Sequence, residues 1–232
     1  MQQQILPLIF ADGLRLDDFI GEQAQNLLVP SLHDWARCQG PATLCLYGAP
    51  GSGRTHLLQA TAQEAGGQGG RVCYLSLRDA RLHPEVLEGL EQSSHVCLDD
   101  LEWVLGRADW EWALFALCNR LSASHHALLV ACRELPSHAC SLRDLGSRLM
   151  AGLVFRLPVL AESELRQLVW RLAQRQGLQL SDAIVDHLMA HLPRQAAVIQ
   201  QSLQVIDRYA LLRQRPISLH LVREALKHEP LA

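Results

Sequence analysis

The sequence predicts a parallel α/β domain built around a phosphate-binding loop, followed by a small all-helical domain. Three observations predict it. Short apolar runs that read as five strands alternate with helix-periodic stretches, the pattern of a parallel sheet. The stretch Thr43 to Thr55, TLCLYGAPGSGRT, joins the first of those runs to a helix through a loop rich in glycine and proline. After Pro158 every periodic stretch is helical.

The loop carries the most chemistry. Leu44 to Tyr47 reads as a buried strand, and the helix HLLQATAQEA starts near Thr55. Strand, loop and helix start together make a phosphate cradle: backbone N–H groups converge, and the helix dipole favours an anion there. Gly48, Gly51 and Gly53 allow close approach and positive φ, with Pro50 and Ser52 between them. The spacing is G-x-x-x-x-G followed by Arg54, where lysine is usual, and Thr55. Thr55 is placed to offer a hydroxyl to Mg²⁺. An ordinary glycine turn before a helix is the plainer alternative; strand, spacing, Thr55 and helix agree on the cradle. Arginine is longer, planar and bidentate, so its presence at 54 suits holding a nucleotide better than hydrolysing it.

The remaining elements follow in order. Residues 1–10 form a tail in which Pro7 pushes Leu6 towards an extended conformation. An extended apolar segment after three glutamines is either a peptide ligand for a groove elsewhere or a strand on its own domain, and the residues do not choose. Residues 15–38 give an aromatic-bearing turn and then a helix broken or kinked at Pro30, with Leu32 and Trp35 serving the core. Arg71 to Leu77 reads as the second strand, and Pro84 starts a short helix. His95 to Asp100 is the third strand and ends in two acids. At the carboxyl end of a parallel strand, Asp99 would hold Mg²⁺ and Asp100 would orient or activate a water. Capping of the next helix is the alternative role for the pair.

Asp109 to Ser122 reads as an amphipathic helix capped by Asp109, with Trp110, Leu114, Leu117 and Leu121 on the core face. Ala127 to Cys132 and Leu153 to Leu157 are the fourth and fifth strands. Stretches 162–176, 181–191, 194–213 and 218–227 are helical, with Ser181 and Ser218 as N-caps. The expected organisation is a tail over 1–10, an α/β domain over 11–160 and a helical domain over 161–232.

Composition sets limits. The chain has 232 residues, nearly half of them apolar, enough for a sizeable core. A net charge of −3 gives no bulk electrostatic case for nucleic acid. No apolar run of about 20 residues is present to cross a membrane, and the N-terminus has no signal-peptide pattern. The seven cysteines are scattered with no C-x-x-C pair, which reads as buried free thiols in a reducing cytoplasm. The 11 histidines show no metal-ligand spacing, and His125–His126 falls in a solvated loop.

Phosphate loop, acidic strand and helix-only C-terminal lid together resemble an AAA+ ATPase. Within that superfamily the finer similarity is to the replication initiator DnaA. RLDDFIGEQAQNLL resembles its entry segment beside the adenine, which implies a cofactor contact by Phe19 and Ile20. LYGAPGSGRTHLLQA resembles its phosphate loop, VCLDDLE its acidic strand and DLGSRLMAGLVFRL its arginine-finger segment. The sequence ends at Ala232, just after the lid-like helices, so the expectation is a chain without the initiator's DNA-binding and long N-terminal domains. That shape, with its QxxLPL-type tail, resembles the Hda family of DnaA-homologous regulators.

The resemblance implies specific roles. The tail is similar to the family's motif for the DNA polymerase III sliding clamp, with Gln3 in a polar pocket and Leu6, Pro7 and Leu8 at the apolar one. Arg148 matches the arginine finger, which reaches across an interface to a nucleotide on the initiator. The plainer role for Arg148 is an ion pair with Asp144. Ala131-Cys132-Arg133-Glu134 departs from the initiator's polar sensor, and the lid's nucleotide-reading arginine falls on Ala197, with Arg194 one turn earlier as substitute. With Arg54, three elements of a hydrolysis site are altered. The implied protein holds ADP (or ATP) with Mg²⁺, has weak or absent ATPase activity of its own, and lends its finger to the initiator to prevent re-initiation. It would be cytoplasmic and nucleoid-associated through the clamp, touch DNA only weakly or through the clamp, and could form a homodimer. The competing classes are an autonomous ATPase of helicase-loader or clamp-loader type and a DNA-bound initiator paralogue.

Overall fold

A computed structural model describes residues 15–19, 24–193 and 196–228. The clamp-motif residues Gln3, Leu6, Pro7 and Leu8, together with Ile20 and Arg194, lie outside the described residues. The described chain forms two compact units, one built on a sheet and ending at Leu157, the other formed by the helices after Pro158 together with the loop residues Pro50–Gly53.

The sheet has five parallel strands: β1 Thr43–Gly48, β2 Val72–Ser76, β3 His95–Asp99, β4 Ala127–Cys132 and β5 Leu153–Leu157. Their order is β2-β3-β4-β1-β5. Leu44 is opposite Leu129 of β4 and Leu153 of β5, and Val96 is opposite Leu128. A strand covered on both faces reads as a continuous apolar run rather than an alternating one. That is how LCLY and ALLVAC read, and alternate residues feed two separate cores. Leu44, Leu46, Cys97, Leu129 and Ala131 face one way, against Trp35, Leu57 and Leu58. Cys45, Val96, Leu98, Leu128 and Val130 face the other, against Trp110, Leu114 and Leu117.

Helices α1 Val29–Ala36 and α2 Arg54–Gly67 supply the first layer. Pro30 does not break α1. It sits in the first turn, where its missing N–H has no helical partner to lose. The irregularity lies just before it, in a π-helical turn Ala24–Leu28. Helices α3 Ala108–Ala123, α4 Pro136–Ala139 and α5 Arg143–Leu149 belong to the second layer. Asp109 is not the N-cap of α3: that position is Arg107, and Asp109 lies in the first turn, where its charge suits the dipole. The segment after Pro84 is two 3₁₀ turns separated at Gly89, whose φ of 79° no continuous helix accepts.

The second unit contains α6 Glu162–Arg175, α7 Asp182–His191, α8 Ala196–Arg213 and α9 Leu219–His228 around Leu165, Val169, Val185, Leu203, Ile206 and Val222. Glu164 accepts the Ala161 N–H at the start of α6. Ser218 caps α9 through its hydroxyl, which accepts the Leu221 N–H at 3.3 Å, whereas Ser181 occupies the N-cap position of α7 without a side-chain bond. Ser218→Ala is therefore expected to cost this unit about 1 kcal/mol, and Ser181→Ala much less, measured by denaturant unfolding. Among the described residues, no helix is long and apolar enough to cross a membrane, and all seven cysteines are free thiols, four of them buried, Cys73 and Cys140 partly so, and Cys38 exposed just past the end of α1 rather than buried.

Candidate nucleotide-binding site

The phosphate loop leaves β1 at Gly48 and enters α2 at Arg54. Gly51 and Gly53 take φ of 84° and 89°, the left-handed region that a side chain would strain. Between them Ser52 is buried, and its hydroxyl has no hydrogen-bond partner among the described residues. A buried, unsatisfied hydroxyl in a glycine loop at a helix start fits an anionic ligand that supplies the missing bond.

The acidic strand ends close to this helix start. Asp99 is almost fully buried, and its carboxylate accepts the Tyr74 hydroxyl at 3.0 Å and its neighbour's backbone N–H at 2.9 Å, with the Thr55 hydroxyl close enough to favour its charged form. Gln59 donates in turn to the Tyr74 hydroxyl at 3.3 Å. Thr55 and Asp99 are thus neighbours, and both offer hard oxygen donors of the kind Mg²⁺ takes, so the pair fits that ion. Asp100 adopts the left-handed conformation, φ 60°, and its carboxylate accepts the Ser76 hydroxyl at 2.8 Å. It occupies the N-cap position of the following 3₁₀ turn without a side-chain capping bond.

Burial raises the Asp99 pKa above the ordinary carboxylate range, opposed by the hydroxyl donors. Burial, with Asp99 beside it, likewise pushes the Tyr74 phenol up. An acid whose pKa is raised on folding favours the folded state when protonated, and that contribution is lost as pH rises through the folded value. At neutral pH the ionised Asp99 therefore costs stability. Asp99→Asn is expected to raise the thermal midpoint of the metal-free protein while removing the Mg²⁺ dependence of nucleotide binding. Thermal melts and binding titrations with and without Mg²⁺ check both halves.

Arg54 has a protein partner that the sequence reading did not anticipate. Its Nη1 and Nη2 donate to the two carboxylate oxygens of Glu102 at 3.3 and 3.0 Å, and both side chains are largely buried. Glu102 also accepts the backbone N–H of Arg133 at 3.1 Å, with the Arg133 Nε 3.8 Å from its other oxygen. Phe19, expected beside a cofactor, packs in the sheet core with Leu16, Leu28 and Leu32.

The second candidate locus is Arg148 in the last turn of α5. Leu145 and Leu149 bury the neighbouring face of this helix, while Arg148 is exposed. Its guanidinium lies 5.1 Å from the centroid of the Phe115 ring, and no ion pair with Asp144 forms. The approach to α5 is held by a residue not singled out from the sequence. Glu111 of α3 is almost fully buried and accepts three backbone N–H groups, from Gly106 (2.8 Å), Ser141 (2.8 Å) and Leu142 (2.7 Å).

Comparison with known proteins adds the family. Residues 162–226 match the model of the Hda lid domain. An uncharacterized protein of Haemophilus influenzae is 33% identical over 230 residues, covering 97% of this chain and 99% of that one. Domain III of the Thermotoga maritima replication initiation protein DnaA superposes with a TM-score of 0.75 at 17% identity, covering 95% and 98% of the two chains. AMPPCP-bound DnaA from Aquifex aeolicus superposes with a TM-score of 0.69 at 21% identity, covering 86% and 67%. At these identities the solved structures establish the fold alone, a five-stranded parallel sheet unit followed by a helical unit.

Proposed function

Because the chain belongs to the Hda family of DnaA-related AAA+ proteins, we propose that it regulates replication initiation by stimulating ATP hydrolysis on a DnaA-type initiator. Arg148 is the group that acts. The supporting observation is its setting: an exposed guanidinium without an ion pair to any described residue, on a short helix anchored in the core by Leu145 and Leu149. Presented across an interface, it would stabilise the charge that builds on the transferring phosphoryl group of the initiator's nucleotide. Phe115 holds the side chain to one place beforehand, which reduces the ordering needed when the partner docks.

The chain's own nucleotide is ADP in this reading, held by the 48–55 loop with Mg²⁺ on Thr55 and Asp99. The ion would supply charge neutralisation at the phosphates. Arg54 and Arg133 both face Glu102, so the cations that would serve a hydrolysing site are already engaged, in keeping with weak intrinsic turnover. The tail motif at Gln3, Leu6, Pro7 and Leu8 would tether the protein to the sliding clamp, and with it to DNA, in the cytoplasm. Any homodimer would compete for the same surfaces. Deleting residues 1–10 tests the tether. The truncated protein should keep its thermal midpoint but lose clamp-dependent stimulation of the initiator; full stimulation by the truncated protein would remove the tether from this account.

The autonomous-ATPase reading draws on one observation, the closeness of Thr55, Asp99 and Asp100 at the loop. It requires appreciable turnover by the protein alone.

A further inference from the structure

The Glu102 carboxylate lies where three connections of the sheet domain meet. It belongs to the 3₁₀ turn Leu101–Trp103 after β3, binds the first residue of α2 after the phosphate loop, and accepts the N–H of the residue following β4. All three connections leave the carboxyl ends of parallel strands, the edge at which ligands of open α/β sheets bind. The fork it makes with Arg54 is bidentate and about nine-tenths buried on the arginine side. A charge pair of this kind is strongly held, because freeing either partner leaves a charge poorly solvated.

We propose that Glu102 is a specificity-determining residue that makes the site favour nucleoside diphosphates over triphosphates. The inference rests on the nucleotide-holding reading of the 48–55 loop. Backbone N–H groups of such a loop and helix start bind the inner phosphates without help from side chains. A third phosphate differs: it adds charge at the outer end of the site, where the cation at position 54 reaches the β- and γ-phosphates. Here that cation is already neutralised. A triphosphate must either draw Arg54 off Glu102, leaving the carboxylate with the Arg133 N–H and guanidinium alone, or place its terminal charge beside an arginine already neutralised by Glu102. A diphosphate faces neither demand. Arginine at position 54 is part of the device, since its planar fork grips both carboxylate oxygens in a way a lysine ammonium does not.

The test is titration of the full-length, nucleotide-stripped protein with Mg²⁺-ADP and with Mg²⁺-AMPPCP, a triphosphate analogue that is not hydrolysed. Wild type should bind ADP more tightly. Glu102→Gln keeps the shape, removes the charge and should shift the ADP-to-AMPPCP affinity ratio about tenfold towards the triphosphate, with ADP affinity little changed. Arg54→Lys should shift it the same way by a smaller factor, and it decides the matter if Glu102→Gln does not fold. A ratio unchanged in both folded variants, or equal gains for both nucleotides, overturns the role of Glu102 while leaving nucleotide binding in place. Absence of binding of either nucleotide to wild type overturns the nucleotide-holding reading itself, and this inference with it.

Discussion

Arg148→Ala is expected to lower stimulation of initiator-bound ATP hydrolysis by about 10³–10⁵-fold, the range for an arginine finger supplied in trans. The expectation follows from the setting of Arg148 more than from its charge. A surface arginine in an ion pair would have to give up that pair on docking; Arg148 makes none with a described residue and lies against the Phe115 ring. Its helix cannot easily shift, because Leu145 and Leu149 are fully buried. The same setting predicts that the variant folds. Removing an exposed side chain with one cation–π contact costs about 0.5–1 kcal/mol, so its thermal midpoint should stay within a few degrees of wild type. Arg148→Lys is a sharper probe: it keeps the positive charge but not the planar fork, and should recover only a small part of the activity. Single-turnover hydrolysis by the initiator, with thermal melts of each variant, measures both effects.

Glu111→Ala is expected to destabilise the sheet domain by about 3–5 kcal/mol, because a buried carboxylate that satisfies three backbone donors is lost and each donor left unpaired is costly. For a chain of this size that corresponds to a fall in thermal midpoint of about 10 °C. Two of the three donors, Ser141 and Leu142, lead into α5, and Leu142 is its N-cap. The damage should therefore appear first at the helix that carries Arg148. Under conditions where the variant is still folded, stimulation should fall while ADP affinity remains. Glu111→Gln retains one acceptor oxygen and should lose roughly half as much stability. Hydrogen exchange at the amides of residues 141–149 would locate the loosening.

Much of this architecture was legible in the sequence because it depends on local patterns. Strands such as ALLVAC are apolar on both faces and bounded by turns, and β4 and β5 fall where the pattern puts them. The loop announces itself through glycines at fixed spacing, and the helices after Pro158 through their period. Errors fell where a residue's effect depends on which side of a boundary it occupies. Pro30 and Asp109 were assigned a break and a cap, but each sits inside a first turn, where proline and acid are both favoured.

The partners of charged residues were less legible, since they come from different parts of the chain. Glu102 is 48 residues from Arg54 and 31 from Arg133. It stands in the acidic segment VCLDDLE, where the two aspartates before it attract the chemistry. A signal for it existed: an arginine in place of the usual loop lysine asks for a bidentate anion nearby. Glu111 left a signal too. It shares the stripe of Leu114 and Cys118 on α3, and an acid on an apolar stripe needs donors to be buried there. Nothing in the spacing says that those donors are the backbone of residues 106, 141 and 142.

The most direct test of the account is the fate of ATP bound to the initiator when this protein is added together with ADP, Mg²⁺ and DNA-loaded clamp. The account predicts rapid conversion to ADP on the initiator, with almost no turnover by this protein alone. Unchanged hydrolysis on the initiator, accompanied by ready ATP turnover by this protein alone, would contradict it and establish an autonomous ATPase instead.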